Sequence, residues 1–168
     1  AQMVEKLNGL KLGDPLDPET KVGPVISERQ MKAVLDYVDI GKKEGAKLAM
    51  GGATPKGLDK GCYVSPTLFT GVKNDMRIAK EEIFGPVTGV LTYKKLDDAI
   101  AMANDSIYGL AASIWTSDVS VAHKAADGRF TPSLTAGEAE MLGIAEGLRR
   151  AGAGVLEVVA DLVDLDAE

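Results

Sequence analysis

The chain has 168 residues, 45% of them apolar, and a formal net charge of -6. That length suits one domain with a core of its own, and the composition is that of a folded chain. No apolar run approaches the roughly eighteen residues that a membrane span needs, and no basic stripe favours nucleic acid.

Residues 1–12 place Met3, Val4, Leu7 and Leu10 at helical spacing. The stretch GDPLDPET (13–20) stops that helix, because two Asp-Pro steps and a glycine cannot continue its hydrogen bonding. Ser27-Glu28-Arg29-Gln30 has the form of a capping box and opens a second helix. Its core face is Met31, Val34, Leu35 and Val38, and Gly41 or Gly45 ends it. A short strand is expected near Lys47–Met50, followed by a Gly-rich charged loop to Lys60. Tyr63–Thr70, interrupted by Pro66, reads as an edge or irregular strand. Val87–Tyr93 and Gly109–Trp115 read as strands, with helices at Leu96–Ala103 and Asp118–Ala126. Strand, helix, strand, helix implies crossover connections, hence an α/β fold with a partial parallel open sheet. A capping box at Thr135 and Glu138 begins a helix to about Ala151, and Val155–Ala160 reads as a buried-type strand, a C-terminal helix-strand unit.

The N-terminus AQMVEKLNGL lacks both an initiator Met and the layout of a signal peptide, which reads as a cut from a longer chain. The lone cysteine, Cys62, suits a reducing compartment, so a cytoplasmic location is expected. His123, the only histidine, has no second histidine with which to share a metal, and the carboxylates from Asp161 to Glu168 fit no calcium loop. No metal site and no catalytic residue is assigned.

The chemically informative stretch is AKEEIFGPV, residues 79–87. An ionised carboxylate is acceptor-only and can take two hydroxyl donors at once, which suits the diol of a ribose. Phe84, two residues past Glu82, would share its side of an extended segment and could pack on a flat ring beside that sugar. Gly85-Pro86 would fix the turn that aims both.

AKEEIFGPV closely resembles the signature of the aldehyde dehydrogenase superfamily. GDPLDPETKVGPVIS, DIGKKEGAKLAMGG, GCYVSPTLF and DDAIAMANDSIYGLAASIWTSD resemble that family too, in its order, so the resemblance runs from residue 1 to about 122. It implies a catalytic-domain piece of an enzyme that oxidises aldehydes to acids with NAD or NADP. It also implies that Glu82 contacts the nicotinamide ribose, that Phe84 packs near the nicotinamide, and that Glu81 is a surface or salt-bridge residue. In the family the cysteine nucleophile, the general-base glutamate and the Gly-rich cofactor loop lie upstream of where this chain starts. Cys62 falls in a segment that is structural in the family, so the chain is expected to be inactive alone. The partners implied are a small aldehyde and further copies, or a full-length parent, through exposed sheet edges.

The family pattern is expected to break near residues 121–130. Residues 1–124 carry sixteen basic and sixteen acidic side chains, whereas residues 125–168 carry three and nine. The first part holds fourteen Lys and two Arg; the second holds three Arg and no Lys. Residues 121–168 resemble a segment of D-aminoacylase-like amidohydrolases, without that family's metal ligands. The organisation expected is therefore an aldehyde dehydrogenase-like part, 1–124, joined to an amidohydrolase-like helix-strand segment, 125–168. A non-catalytic interaction module is the rival reading, and a metal-dependent N-acyl amino acid hydrolase piece a more distant one.

Overall fold

A computed structural model describes residues 2–108, 112 and 114–129. The elements in order are α1 (Gln2–Asn8), α2 (Glu28–Lys43), β1 (Lys47–Met50), β2 (Thr67–Thr70), α3 (Arg77–Lys80), β3 (Val87–Gly89), α4 (Leu96–Asn104) and α5 (Val119–Arg129). They fall into two compact units, one up to Thr92 and one from Tyr93 onward. The fold is α/β, as expected.

In the first unit, α1 stops where Gly9 N donates to the carbonyls of Glu5 and Lys6, each at 3.2 Å. The following loop is held by its own acids. Asp14 accepts from Leu16 N and Asp17 from Glu19 N, both at 2.9 Å, while Lys11 bridges Asp17 and Glu19 at 2.9 Å each. Ser27 caps α2 by accepting from Gln30 N at 3.2 Å. Of the two glycines that could end α2, Gly45 does so, at φ 98, where a side chain would be strained. Gly41 stays buried within the helix.

The three strands form one sheet in the order β1-β2-β3. β1 pairs antiparallel to β2, with a register shift between Leu48 and Met50, and β2 pairs parallel to β3. The parallel pair carries the crossover, which passes through α3. β2 is the central strand, not an edge. Pro66 is the reason the expectation failed and the strand did not: it sits one residue before β2, so its missing N–H leaves no gap in the ladder. Thr67 N, the first donor after it, reaches Pro86 O at 2.8 Å. Beneath the sheet Val38, Ala46, Phe69, Val72 and Met76 form a buried cluster, with Leu48, Ile78, Val87 and Leu91 packed around it.

The second unit contains α4 and α5, which pack on each other. Ala99 and Ala125 are buried, Lys124 pairs with Asp97 at 2.7 Å, and Asn104 donates to Gly128 O at 2.7 Å. Asp118 caps α5 by accepting from Ser120 N at 2.8 Å. This helix runs without a break through residues 124 and 125. The strand expected at Gly109–Trp115 lies largely outside the described residues, as does the whole helix-strand unit expected at 135–160.

Candidate functional site

The segment between α3 and β3, residues 81–86, carries the motif and lies along α2. Three local facts shape it. Glu81 closes α3 in extended geometry, φ -115 and ψ 145, and its N–H donates to Arg77 O at 2.8 Å. Phe84 then turns left-handed, at φ 52, the single positive φ of a non-glycine residue among those described. Val87 N donates back to Gly85 O at 2.8 Å, a tight turn around Pro86 that leads into β3. The extended path expected from Glu82 to Phe84 is therefore corrected. The chain bends at Phe84, in a region that costs a bulky side chain about 1–3 kcal/mol and persists only when its surroundings impose it.

Those surroundings are visible. Gln30 Nε2 donates to the carbonyls of both Ile83 and Phe84, each at 3.1 Å. Gly85 lies so close to α2 that a Cβ there would stand 2.5 Å from a Val34 methyl. Val34 is wholly buried and cannot retreat. The result presents two unlike neighbours to solvent. Phe84 is 75% exposed, an unusual position for an aromatic ring, and Glu82 is half-buried with no hydrogen bond or ion pair among the described residues.

Glu81 is different. Its carboxylate takes both the Nε and an Nη of Arg77 at 2.8 Å, and the Tyr37 hydroxyl at 2.5 Å, while the Arg77 guanidinium stands 5.5 Å from the centre of the Tyr37 ring. The residue expected on a surface or in a salt bridge is in one. Arg77, with Tyr37 second, holds the Glu81 carboxyl down from an ordinary 4.5 to about 2, and the hydrogen bond to Glu81, with burial second, pushes the Tyr37 phenol above its ordinary value. Since the folded value is depressed, the contact contributes stability above pH 4.5 and loses it as pH falls toward 2. A 13C titration of the Glu81 carboxyl should therefore show a midpoint near 2. Arg77→Met should return the midpoint most of the way to 4.5 and Tyr37→Phe only part of the way. A wild-type midpoint at 4.5 would mean that the network does not form in solution. Because it is open to solvent, its worth lies in orientation more than in stability.

The remaining titratable residues of interest lie elsewhere. Cys62 is half-buried, and its backbone carbonyl accepts from Val25 N at 2.8 Å. His123 is exposed on α5. Asp97, Ile100, Lys124, Asp127 and Gly128 line an open depression in the second unit, where Lys124 is already spent on Asp97. No group of three or more His, Cys, Asp or Glu side chains suited to a metal ion occurs among the described residues, nor is any described helix long and apolar enough to cross a membrane.

Solved structures set the class of protein. An aldehyde dehydrogenase from Mycobacterium tuberculosis complexed with NAD+ superposes with a TM-score of 0.72 at 47% identity, covering 74% of this chain and 26% of its own. A Staphylococcus aureus betaine aldehyde dehydrogenase in complex with NAD+ gives 0.74 at 38% identity, covering 76% and 26%. The fold is thus that of a part of a dehydrogenase catalytic domain. The model of the aldehyde dehydrogenase family matches residues 1–141, and the chain belongs to that family. Among its curated relatives, the betaine aldehyde dehydrogenase of Brucella anthropi is 48% identical over 125 residues, which is 73% of this chain. That of Mesorhizobium japonicum is 49% identical over the same length. The chain spans about a quarter of the relatives, 26% of their length.

Proposed function

We propose that this chain supplies the nicotinamide-ribose side of the NAD(P) site of an aldehyde dehydrogenase, with Glu82 as the ribose ligand and Phe84 as the surface beside the nicotinamide. The observation that carries the reading is the pairing of an unpartnered carboxylate with an exposed ring on a segment otherwise tied down at every residue. Apolar rings are ordinarily buried, and a free carboxylate beside one fits a ligand that is flat at one end and hydroxylated at the next. When bound, the dinucleotide supplies the hydride acceptor; what this chain does is orient it. Glu82 accepts from the two ribose hydroxyls, and Phe84 covers a ring face and keeps water from it.

The reaction itself needs groups that this sequence does not carry in the family's pattern: a cysteine nucleophile in its motif, a general base and a Gly-rich phosphate loop. The activity proposed for the parent architecture is oxidation of an aldehyde to a carboxylic acid, with NAD(P)+ reduced. Betaine aldehyde is named for relatives of which this chain spans 26%, so the substrate proposed here stays at the class of aldehydes.

The test has two arms. Incubated with NAD+ and a panel of aldehydes, the purified chain should form no NADH; turnover abolished by Cys62→Ser would overturn the assignment of no nucleophile. Titrated with NAD+ at millimolar concentration, the amides around Glu82 and Phe84 should shift, and Glu82→Gln should weaken that binding by about tenfold, the loss of charge-assisted hydrogen bonds. Unchanged affinity in Glu82→Gln would remove the ribose assignment.

A further inference from the structure

Gln30, Val34 and Tyr37 stand at i, i+4 and i+7 on α2, a spacing that places them along one face of the helix. Each meets a different part of the motif segment. Tyr37 donates to Glu81, Gln30 donates to the carbonyls of Ile83 and Phe84, and Val34 occupies the space that a side chain at Gly85 would need. Residues on both sides of Glu82 are thereby anchored, while the side chains of Glu82 and Phe84 are left free.

We propose that this stripe of α2 is a template that holds the 81–85 segment in its cofactor-accepting shape, with Gln30 and Tyr37 as positioning residues that need not touch the cofactor. The inference rests on the nicotinamide-ribose reading above and adds which residues set its geometry. Two features favour a template over simple packing. The first is Gln30, whose sequence position is that of the reciprocal partner in a capping box. Its amide N–H groups, which a capping box does not use, donate across to two carbonyls of the segment. The second is Phe84, which holds a left-handed conformation that a mere connector from α3 to β3 would have no reason to keep. Local preference is overridden at Phe84, and Gln30 holds the overridden backbone directly through the carbonyls of Ile83 and Phe84.

A double-mutant cycle separates positioning from general support. The whole 15N-labelled chain is titrated with NAD+ as wild type, Gln30→Met, Glu82→Gln and the double variant. Met keeps the volume of Gln30 and removes both donors. Each single change is expected to weaken binding by about tenfold, and the double variant by no more than the worse single, because a carboxylate that is no longer aimed has little left to lose. Purely structural damage would lower the folded fraction and leave the factor for Glu82 intact, so the two losses would multiply. Multiplying losses, or an unchanged affinity in Gln30→Met, overturn the template. Should Gln30→Met not fold, the same cycle with Tyr37→Phe decides, since that change removes one hydroxyl and keeps the ring beside Arg77. If Glu82→Gln weakens binding and neither α2 variant does, only the template falls. If the wild-type amides at Glu82 and Phe84 do not respond to NAD+, the ribose reading falls and takes the template with it.

Discussion

Gly85→Ala is expected to destabilise the first unit by about 2 kcal/mol and to abolish the NAD+ response of the Glu82 and Phe84 amides. The reason is geometric. A Cβ at residue 85 would lie 2.5 Å and 2.9 Å from the two methyls of Val34, well inside contact distance. Val34 is completely buried on α2, so it cannot swing away, and the segment must lift off the helix. Inserting one methyl group into a filled site ordinarily costs about 1–3 kcal/mol. Lifting would also lengthen the two 3.1 Å bonds from Gln30 and release Phe84 from its left-handed turn. The complementary change tests the mechanism: Val34→Ala opens the space that Gly85→Ala demands. The double variant should be less destabilised than the sum of the singles by about 1 kcal/mol, as neighbours sharing one volume do not add. Urea denaturation followed by far-UV CD reads these differences. A Gly85→Ala protein within 0.5 kcal/mol of wild type would show that the close approach to α2 does not exist in solution.

What the sequence made legible were local features with a chemical rationale. The spacing of Val34 and Val38, the cap at Ser27 and the stop at Gly45 all follow from helix rules, and all are found. The two residues proposed for the cofactor come from motif chemistry and resemblance together; what the structure adds is that Glu82 is half-buried and Phe84 exposed. What could not be read are contacts made across the chain. In sequence Gln30 looks like a cap partner and Tyr37 draws no notice, because their partners lie 53 or 54 and 44 residues away. The left-handed turn fell on a phenylalanine, the last kind of residue from which φ 52 would be guessed, while Gly85 beside it invited the bend. A proline demoted β2 in the reading although it stands just outside the strand.

The join expected near residues 121–130 rests on composition and resemblance, about which a continuous helix says nothing. Charge balance and the choice between Lys and Arg do change there, yet α5 runs from Val119 to Arg129 and the family model extends to residue 141. Helical periodicity responds to local spacing alone and carries no memory of origin. A seam in composition can therefore lie within an element that is continuous in space. The compact units, a matter of packing and not of origin, divide at Thr92, where the first core ends.

Two phenylalanines of the first unit are predicted to behave in opposite ways, and the contrast tests where its core and its site lie. Phe69 is fully buried in the central strand, opposite Leu48 on one side and Gly89 on the other, and its carbonyl accepts from Val90 N at 2.9 Å. Phe69→Ala should cost about 3–5 kcal/mol, the transfer free energy of the ring plus the cavity that it leaves. Against a total of about 5–15 kcal/mol for an ordinary domain, that is enough to leave a substantial unfolded population. Phe69→Leu, which keeps most of the volume, should cost about 1–1.5 kcal/mol. Phe84→Ala removes a ring that is 75% exposed and leaves the backbone in the same strained turn, so its cost should stay below about 1 kcal/mol. Its effect should appear in ligand binding, with the NAD+ response at Glu82 weakened while the urea midpoint hardly moves. Phe69→Ala should move the midpoint and leave the affinity of whatever remains folded unchanged. Equal losses of stability at the two positions would contradict this division, because a ring held in solvent has little apolar contact to lose and one at the centre of the sheet has nearly all of it.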